Sequence, residues 1–76
     1  MPYAYREFRQ VLQQVGFKLV RSGKHETWIK EEDGFQVAMV RVSHQHGKDI
    51  PRPLFREMLR QAKLTEAGFV KLLVRR

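Results

Sequence analysis

The chain has 76 residues and no cysteine, and its fifteen Lys and Arg against eight Asp and Glu give a formal net charge of +7. This length predicts one domain over residues 1–76 without a deep pocket, and the missing cysteines exclude a disulfide framework and a thiolate zinc site and favour a cytoplasmic protein. No apolar run approaches the roughly 20 residues of a membrane helix, so no membrane partner is expected, whereas the charge favours RNA, DNA or an acidic protein, with an ordinary solvated surface as the alternative.

Residues 3–15 are predicted to form an amphipathic helix. When successive residues advance by about 100°, six apolar side chains fall within about 120° and six polar ones fill the opposite side. The apolar set is Ala4, Tyr5, Phe8, Val11, Leu12 and Val15, and the polar set is Arg6, Glu7, Arg9, Gln10, Gln13 and Gln14. Gly16 follows at the position where a left-handed residue commonly ends a helix.

Three consecutive strands are predicted at residues 17–22, 25–30 and 35–42, where β-branched and aromatic residues are concentrated. Asp33-Gly34 separates the second strand from the third, and this pair is a strong hairpin signal because the turn needs positive φ angles. Ser22-Gly23-Lys24 makes a looser connection between the first two strands and places His25 at the edge of the sheet.

A second amphipathic helix is predicted at about residues 54–63, after Pro53, whose fixed φ suits a first helical position. Its apolar stripe consists of Leu54, Phe55, Met58, Leu59 and Ala62, and its opposite side carries Arg52, Arg56, Arg60 and Lys63. The basic row fits contact with a polyanion and an ordinary solvated helix face equally well. Thr65 is expected to cap a short final helix, with Leu64 placed to pack against Phe69.

The predicted order is α-β-β-β-α followed by a short C-terminal helix. Helices gathered on one face of a three-stranded antiparallel sheet are the simplest way to bury both apolar stripes, which gives an α+β fold of two layers. The other face of the sheet is expected to remain available.

Most enzyme classes lose support because the chain lacks their motifs. It has no glycine-rich phosphate loop, no paired carboxylate motif for glycoside hydrolysis and no recognisable serine or cysteine nucleophile signature. His44 and His46 place two imidazoles close together, but two ligands fall short of the three that catalytic zinc usually takes. No metal or other cofactor is therefore predicted.

His25 is the residue best suited to acid–base chemistry, because a free imidazole has a pKa of about 6.5 and exchanges protons at neutral pH. RNA is a substrate that a histidine and a neighbouring cation can cleave, because its own 2′-hydroxyl supplies the nucleophile. A base removes the proton of the 2′-hydroxyl, the oxygen attacks the adjacent phosphorus in line, and a nearby Lys or Arg stabilises the added charge. An inert surface histidine is the alternative that the residues alone leave open.

Several segments, taken in order along nearly the whole chain, resemble one family. They are a helix ending in Val15-Gly16-Phe17, the strand leading to Arg21-Ser22-Gly23-Lys24-His25, an aromatic-containing hairpin, residues 46–51, and a helix over residues 54–62 followed by Leu64-Thr65-Glu66. This ordered set resembles the HicA-like (YcfA) toxins of bacterial and archaeal toxin–antitoxin pairs.

The resemblance implies a double-stranded-RNA-binding-domain-like fold and an mRNA-cleaving toxin, or mRNA interferase, that needs no metal. Members of the family use a histidine in a Gly-Ser-His motif, which falls on His25, and a HicB-type antitoxin neutralises them. This chain has Lys24 where the family typically has Ser, and Pro53 stands at the start of the second long helix, where Gly-Thr-Leu is often found. The family's later histidine corresponds to His44 or His46, and both are candidates for RNA contact.

The resemblance and the residues together predict a toxin ribonuclease that uses His25 for proton transfer, cleaves mRNA with little sequence specificity, and has a HicB-like antitoxin as partner. The expected RNA contacts, besides the two later histidines, are Arg21, Lys24, Lys48, Arg56 and Arg60. The last two extend the RNA path or meet an acidic antitoxin. Two alternatives remain: a non-catalytic RNA-binding module and a basic partner-binding protein of the same fold.

Overall fold

The structure is a computed structural model that describes residues 3–43 and 48–74. Its elements, in chain order, are α1 (Tyr5–Gln14), β1 (Lys18–Ser22), β2 (His25–Glu32), β3 (Phe35–Ser43), α2 (Arg52–Ala62) and α3 (Glu66–Val74). The predicted α-β-β-β-α order with a C-terminal helix is confirmed, and α1, the three strands and α2 begin and end within three residues of their expected bounds.

The three strands form one antiparallel sheet in the order β1-β2-β3, so β2 is the central strand. Asp33 and Gly34 connect β2 to β3 with φ angles of 54° and 82°. These are the positive values that a two-residue hairpin turn requires, and they confirm the turn predicted from this pair. Gly23 and Lys24 form the connection between β1 and β2, which is also two residues long.

The helices cover one face of the sheet, as predicted. Along β3, alternate residues Ala38, Val40 and Val42 are buried, whereas Met39 and Arg41 between them are exposed. The buried face joins a single apolar cluster with the three helices. Aromatic rings pack at its centre in edge-to-face and tilted pairs, and the ring centroids of Phe8, Phe55 and Phe69 lie 5.1–6.0 Å apart. The opposite face of the sheet carries no helix among the described residues, and we call it the open face.

The ends of the helices follow the capping signals in the sequence. Gly16 has a φ of 99° directly after α1, and the backbone N–H of Phe17 donates to the carbonyl of Leu12 at 2.9 Å. This contact closes the helix with a left-handed glycine. At the start of α3, the hydroxyl of Thr65 accepts the backbone N–H of Gly68 at 3.0 Å, which is the predicted cap.

Two helix side chains differ from their predicted surroundings. Leu54, which was expected in the buried stripe of α2, is 40% exposed. It lies about 100° from Phe55 around the helix axis, so it falls on the flank of the stripe rather than at its centre. Arg9, expected on the solvated side of α1, forms a buried ion pair instead.

An exposed ion pair joins the start of α2 to α3. Arg52 Nη2 lies 2.6 Å from Glu66 Oε1, and this hydrogen bond lowers the pKa of Glu66 below its ordinary value of 4.5. A carboxylate with a lowered pKa in the folded state stabilises the fold above its unfolded pKa. That contribution is lost as the pH falls through the folded pKa.

We therefore expect Glu66→Gln to lower the melting temperature at pH 7 and to have no effect in strong acid. Thermal unfolding of both proteins from pH 7 to pH 2 measures this difference. Glu31→Gln, at an exposed strand position, is the control and should lower the melting temperature less at pH 7. A difference between wild type and Glu66→Gln that stays constant down to pH 2 would contradict the role of the ion pair.

None of the helices in residues 3–43 and 48–74 has the length and apolar character needed to cross a membrane.

Candidate functional site

His25 is the first residue of the central strand and is exposed on the open face of the sheet. The preceding turn brings the chain back tightly, since the backbone N–H of Gly23 donates to the carbonyl of His25 at 3.3 Å. Alternation along β2 puts Thr27 and Ile29 on the same face, while Glu26 and Trp28 point into the core. The imidazole is therefore presented to solvent at one end of the sheet.

A groove of about 660 Å³ runs over the open face beside this imidazole. We call it the sheet-face groove, and its lining residues are Val20, Arg21, Gly23, Lys24, His25, Thr27, Ile29, Met39 and Arg41. Three cationic side chains and an imidazole thus share one groove whose floor is apolar. Such a surface attracts an anion and also offers apolar contacts to a flat ring.

The strand register lines up the arginines of this groove across the sheet. Thr27 is paired with Arg21 on β1 and with Arg41 on β3. Two strand spacings separate the arginines, which is about 10 Å between their backbones. His25 is paired with Ser43, so Arg41 is its diagonal neighbour on the same face, at a backbone separation of about 7–8 Å. The imidazole therefore lies beside a row of guanidinium, hydroxyl and guanidinium groups.

A second groove of about 280 Å³ lies between β3 and α2. We call it the helix-side groove, and it is lined by His25, Arg41, Ser43, Leu54, Met58 and Gln61. The exposed side chain of Leu54 forms part of the groove wall. His25 and Arg41 line both grooves and lie where the two meet.

Gln61 ties this wall of α2 to the edge strand. Its Oε1 accepts the backbone N–H of Arg41 at 3.4 Å, and its Nε2 donates to Glu57 Oε2 at 3.2 Å. The backbone beneath the Arg41 side chain is thus held from α2 as well as from β2. This attachment fixes the position from which the guanidinium extends.

A buried polar cluster underlies the strand ends at His25. Arg9 Nε donates to Glu26 Oε1 at 2.8 Å, and Trp28 Nε1 donates to the same oxygen at 3.0 Å. Arg9 Nη2 also donates to the backbone carbonyl of Ser43 at 2.8 Å. Since Glu26 follows His25 and Ser43 is paired with it, helix α1 holds both strand ends at this point.

The predicted site residues fall into two groups. Arg21 and Lys24 line the sheet-face groove with His25, so three residues chosen from the sequence lie together. Lys48 lies elsewhere, since its backbone carbonyl accepts the N–H of Tyr5 at the start of α1 and its side chain is not part of either groove wall.

Arg56 and Arg60 project from a different side of α2. With about 100° per residue, they lie at least 100° around the helix from Gln61, which lines the helix-side groove. Arg60 is ion-paired with Glu57, and this hydrogen bond lowers the pKa of the Glu57 carboxyl. The two arginines therefore do not join the group around His25.

The other two histidines, His44 and His46, lie outside the described residues. Within residues 3–43 and 48–74, no cluster of three or more His, Cys, Asp or Glu side chains is placed to hold a metal ion.

Sequence reasoning missed the residues whose role depends on pairing between strands. Arg41 and Thr27 were not selected, although the alternation of β3 signals that Arg41 faces away from Val40 and Val42. Glu26 was also missed, and its signal is similar, because it shares a strand face with Trp28. Neither signal identifies the partner residue on the next strand, because that partner depends on the register between the strands.

Comparison with known proteins identifies the chain over most of its length. A family model described as the HicA toxin of bacterial toxin–antitoxin matches residues 5–64. This match spans α1, the whole sheet and α2, and it includes both grooves. None of the curated proteins compared with the chain matches it.

Proposed function

The chain belongs to the HicA toxin family, and on this premise we propose that it is a toxin ribonuclease, an mRNA interferase that cleaves RNA with His25 as its proton-transfer residue and without a metal ion. A HicB-like antitoxin neutralises it, and both act in the cytoplasm, where mRNA is found. The family membership supports the toxin role, and the geometry around His25 supports the chemistry.

The single observation that carries this proposal is the exposed imidazole of His25 in a groove with Arg21 and Lys24. RNA is a polyanion, and a chain with a net charge of +7 attracts it. The groove concentrates cations beside the one described side chain suited to proton transfer at neutral pH. A phosphodiester drawn to these cations lies within reach of the imidazole.

The proposed reaction uses the ribose as an internal nucleophile. His25 accepts the proton of the 2′-hydroxyl while the 2′-oxygen attacks the adjacent phosphorus in line. The 5′-oxygen leaves and takes up a proton from water, so the products are a 2′,3′-cyclic phosphate and a 5′-hydroxyl. Lys24 and Arg21 stabilise the negative charge that builds up on the phosphoryl oxygens.

Single-stranded RNA is the preferred substrate of this site. In-line attack requires the backbone to bend, which a free strand does more readily than a duplex. The sheet-face groove offers few groups that distinguish one base from another, so cleavage is expected to be weakly sequence-specific. Lys48, Arg56 and Arg60 lie outside the groove, and we assign them to more distant RNA or to the antitoxin.

The test is cleavage of a single-stranded RNA and of the all-2′-deoxy strand of the same sequence, both in the presence of a chelator. We expect the RNA to be cut to products ending in a 2′,3′-cyclic phosphate and the deoxy strand to remain intact. Cleavage of the deoxy strand, or activity that appears only when a divalent metal is added, would overturn the mechanism. RNA that is bound tightly and recovered intact would identify a non-catalytic RNA-binding module instead.

A further inference from the structure

We propose that Arg41 holds the phosphate whose bond is cleaved. The RNA strand crosses the open face at this residue, and the nucleotides on either side of that phosphate lie in the sheet-face groove and in the helix-side groove. This inference rests on the proposed ribonuclease function and adds to it a residue and a path for the substrate.

Arg41 and His25 lie close together on the open face of the sheet. Arg41 is the diagonal neighbour of His25 across the β2-β3 pair, at a backbone separation of about 7–8 Å on the same face. Long side chains make contact across such a diagonal. One phosphodiester between them presents its non-bridging oxygens to the guanidinium and its neighbouring 2′-hydroxyl to the imidazole.

The meeting of the two grooves provides space for RNA on both sides of one phosphate. A strand that is cut internally continues on both sides of the broken bond, so the cleavage point must have space for a nucleotide in two directions. His25 and Arg41 line both grooves and lie at their junction. The scissile phosphate therefore belongs beside these two residues. The adjoining nucleosides then face Ile29 and Met39 in one groove and Leu54 in the other.

The exposed Arg41 side chain is available to an incoming phosphate. Arg52 and Arg60 on α2 are ion-paired with glutamates. Arg41 has no ion-pair partner within residues 3–43 and 48–74, and its side chain is exposed. Gln61 holds its backbone N–H, so the side chain starts from a fixed point. A guanidinium without an ion-pair partner is available to bind two phosphoryl oxygens at once.

Substitution of Arg41 is therefore expected to lower the cleavage rate by a larger factor than it lowers the affinity for RNA. Charge increases on the phosphoryl oxygens in the transition state, so a donor aimed at them contributes more there than to the bound ground state. Removing one such donor typically lowers the rate about 100-fold or more. A cation that only attracts RNA from solution changes affinity and its salt dependence, and leaves the rate of the bound complex unchanged.

The experiment measures single-turnover cleavage at saturating protein for wild type, Arg41→Gln, Arg41→Lys and the control Arg6→Gln, at an exposed position of α1 that lines neither groove. Affinity is measured separately with fully 2′-O-methylated RNA of the same sequence, which has no free 2′-hydroxyl and so cannot be cut by this mechanism. We expect Arg41→Gln to cut about 100-fold more slowly and to bind less than about 10-fold more weakly. Arg41→Lys should recover part of the rate, and Arg6→Gln should keep the wild-type rate. Melting temperatures establish that each variant is folded.

Three results would overturn the inference. Arg41→Gln that cuts at the wild-type rate shows that Arg41 does not hold the scissile phosphate, and the ribonuclease function stands. Arg41→Gln that loses affinity but keeps its saturated rate assigns the residue to binding alone, again without harm to the proposed function. Wild-type protein that cuts no RNA under any tested condition removes the proposed function and this inference with it.

Discussion

Replacing His25 with Ala is expected to abolish RNA cleavage and growth arrest while leaving the fold and the affinity for RNA nearly unchanged. The side chain is exposed at the end of β2, and surface substitutions of this kind usually change the free energy of unfolding by less than about 0.5 kcal/mol. Loss of a positioned general base lowers a rate by about 100-fold to 10,000-fold. Substitution at this position should therefore lower the cleavage rate strongly and change the free energy of unfolding little.

Expression of each variant in growing cells, followed by cleavage of RNA by the purified protein in chelator, measures the effect. His25→Gln serves as the matched variant, because glutamine keeps a polar side chain that donates and accepts hydrogen bonds but does not exchange protons at neutral pH. Both variants should permit growth and leave RNA intact. Growth arrest by His25→Gln with undiminished RNA cleavage would show that the histidine acts through contacts and not through proton transfer.

The periodic parts of the fold were predictable because each depends on neighbours in the chain. The helix before Gly16 follows from an apolar stripe and a residue that tolerates a φ of 99°. The β2-β3 hairpin follows from Asp33-Gly34, whose positive φ angles few other pairs adopt readily. Local backbone preference and apolar spacing agree at both places, so the sequence specifies the structure without knowledge of distant contacts.

The composition of the site was less predictable because it depends on register. An irregularity between Leu19 and Arg21 shifts the β1-β2 pairing and brings Arg21 opposite Thr27. A bulge adds a residue to one strand, and nothing in the sequence of β1 alone locates it. Arg41 reaches the same row through the pairing of β2 with β3. Sequence reasoning therefore selected His25 and Arg21 for one site and missed Thr27 and Arg41, which complete the row.

The basic residues of the chain show that charge alone does not locate the site. Lys48, Arg56 and Arg60 contribute to the net charge as much as Arg21 does, yet they lie away from the grooves at His25. Arg9 shows the same limit in the opposite direction. A helical projection places it on the polar side of α1, but Glu26 on the sheet supplies the carboxylate that a largely buried guanidinium needs as a partner. The helical pattern of α1 does not reveal a partner that lies on another element of the fold.

The buried cluster of Arg9, Glu26 and Trp28 leads to the largest expected effect on stability. The side chains of Arg9 and Glu26 are 12% and 8% exposed, so the charges of both are largely removed from water. Glu26→Ala leaves the Arg9 guanidinium without its carboxylate and Trp28 Nε1 without its acceptor. Removal of one partner of a buried pair costs about 3–5 kcal/mol. A domain of this size has a total stability of only about 4–11 kcal/mol.

Urea unfolding of Glu26→Ala is therefore expected to show a midpoint far below that of wild type, or a protein that is mostly unfolded in buffer. Glu26→Gln keeps an oxygen acceptor for Trp28 and should lose less. The double variant Arg9→Met with Glu26→Leu replaces both charges by apolar groups, and it should recover much of the stability because no buried charge is left unpaired. A Glu26→Ala protein with the wild-type midpoint would show that the ion pair does not stabilise the strand ends at His25. A double variant less stable than Glu26→Ala would show that the hydrogen bond from Arg9 to the Ser43 carbonyl is the more important contact.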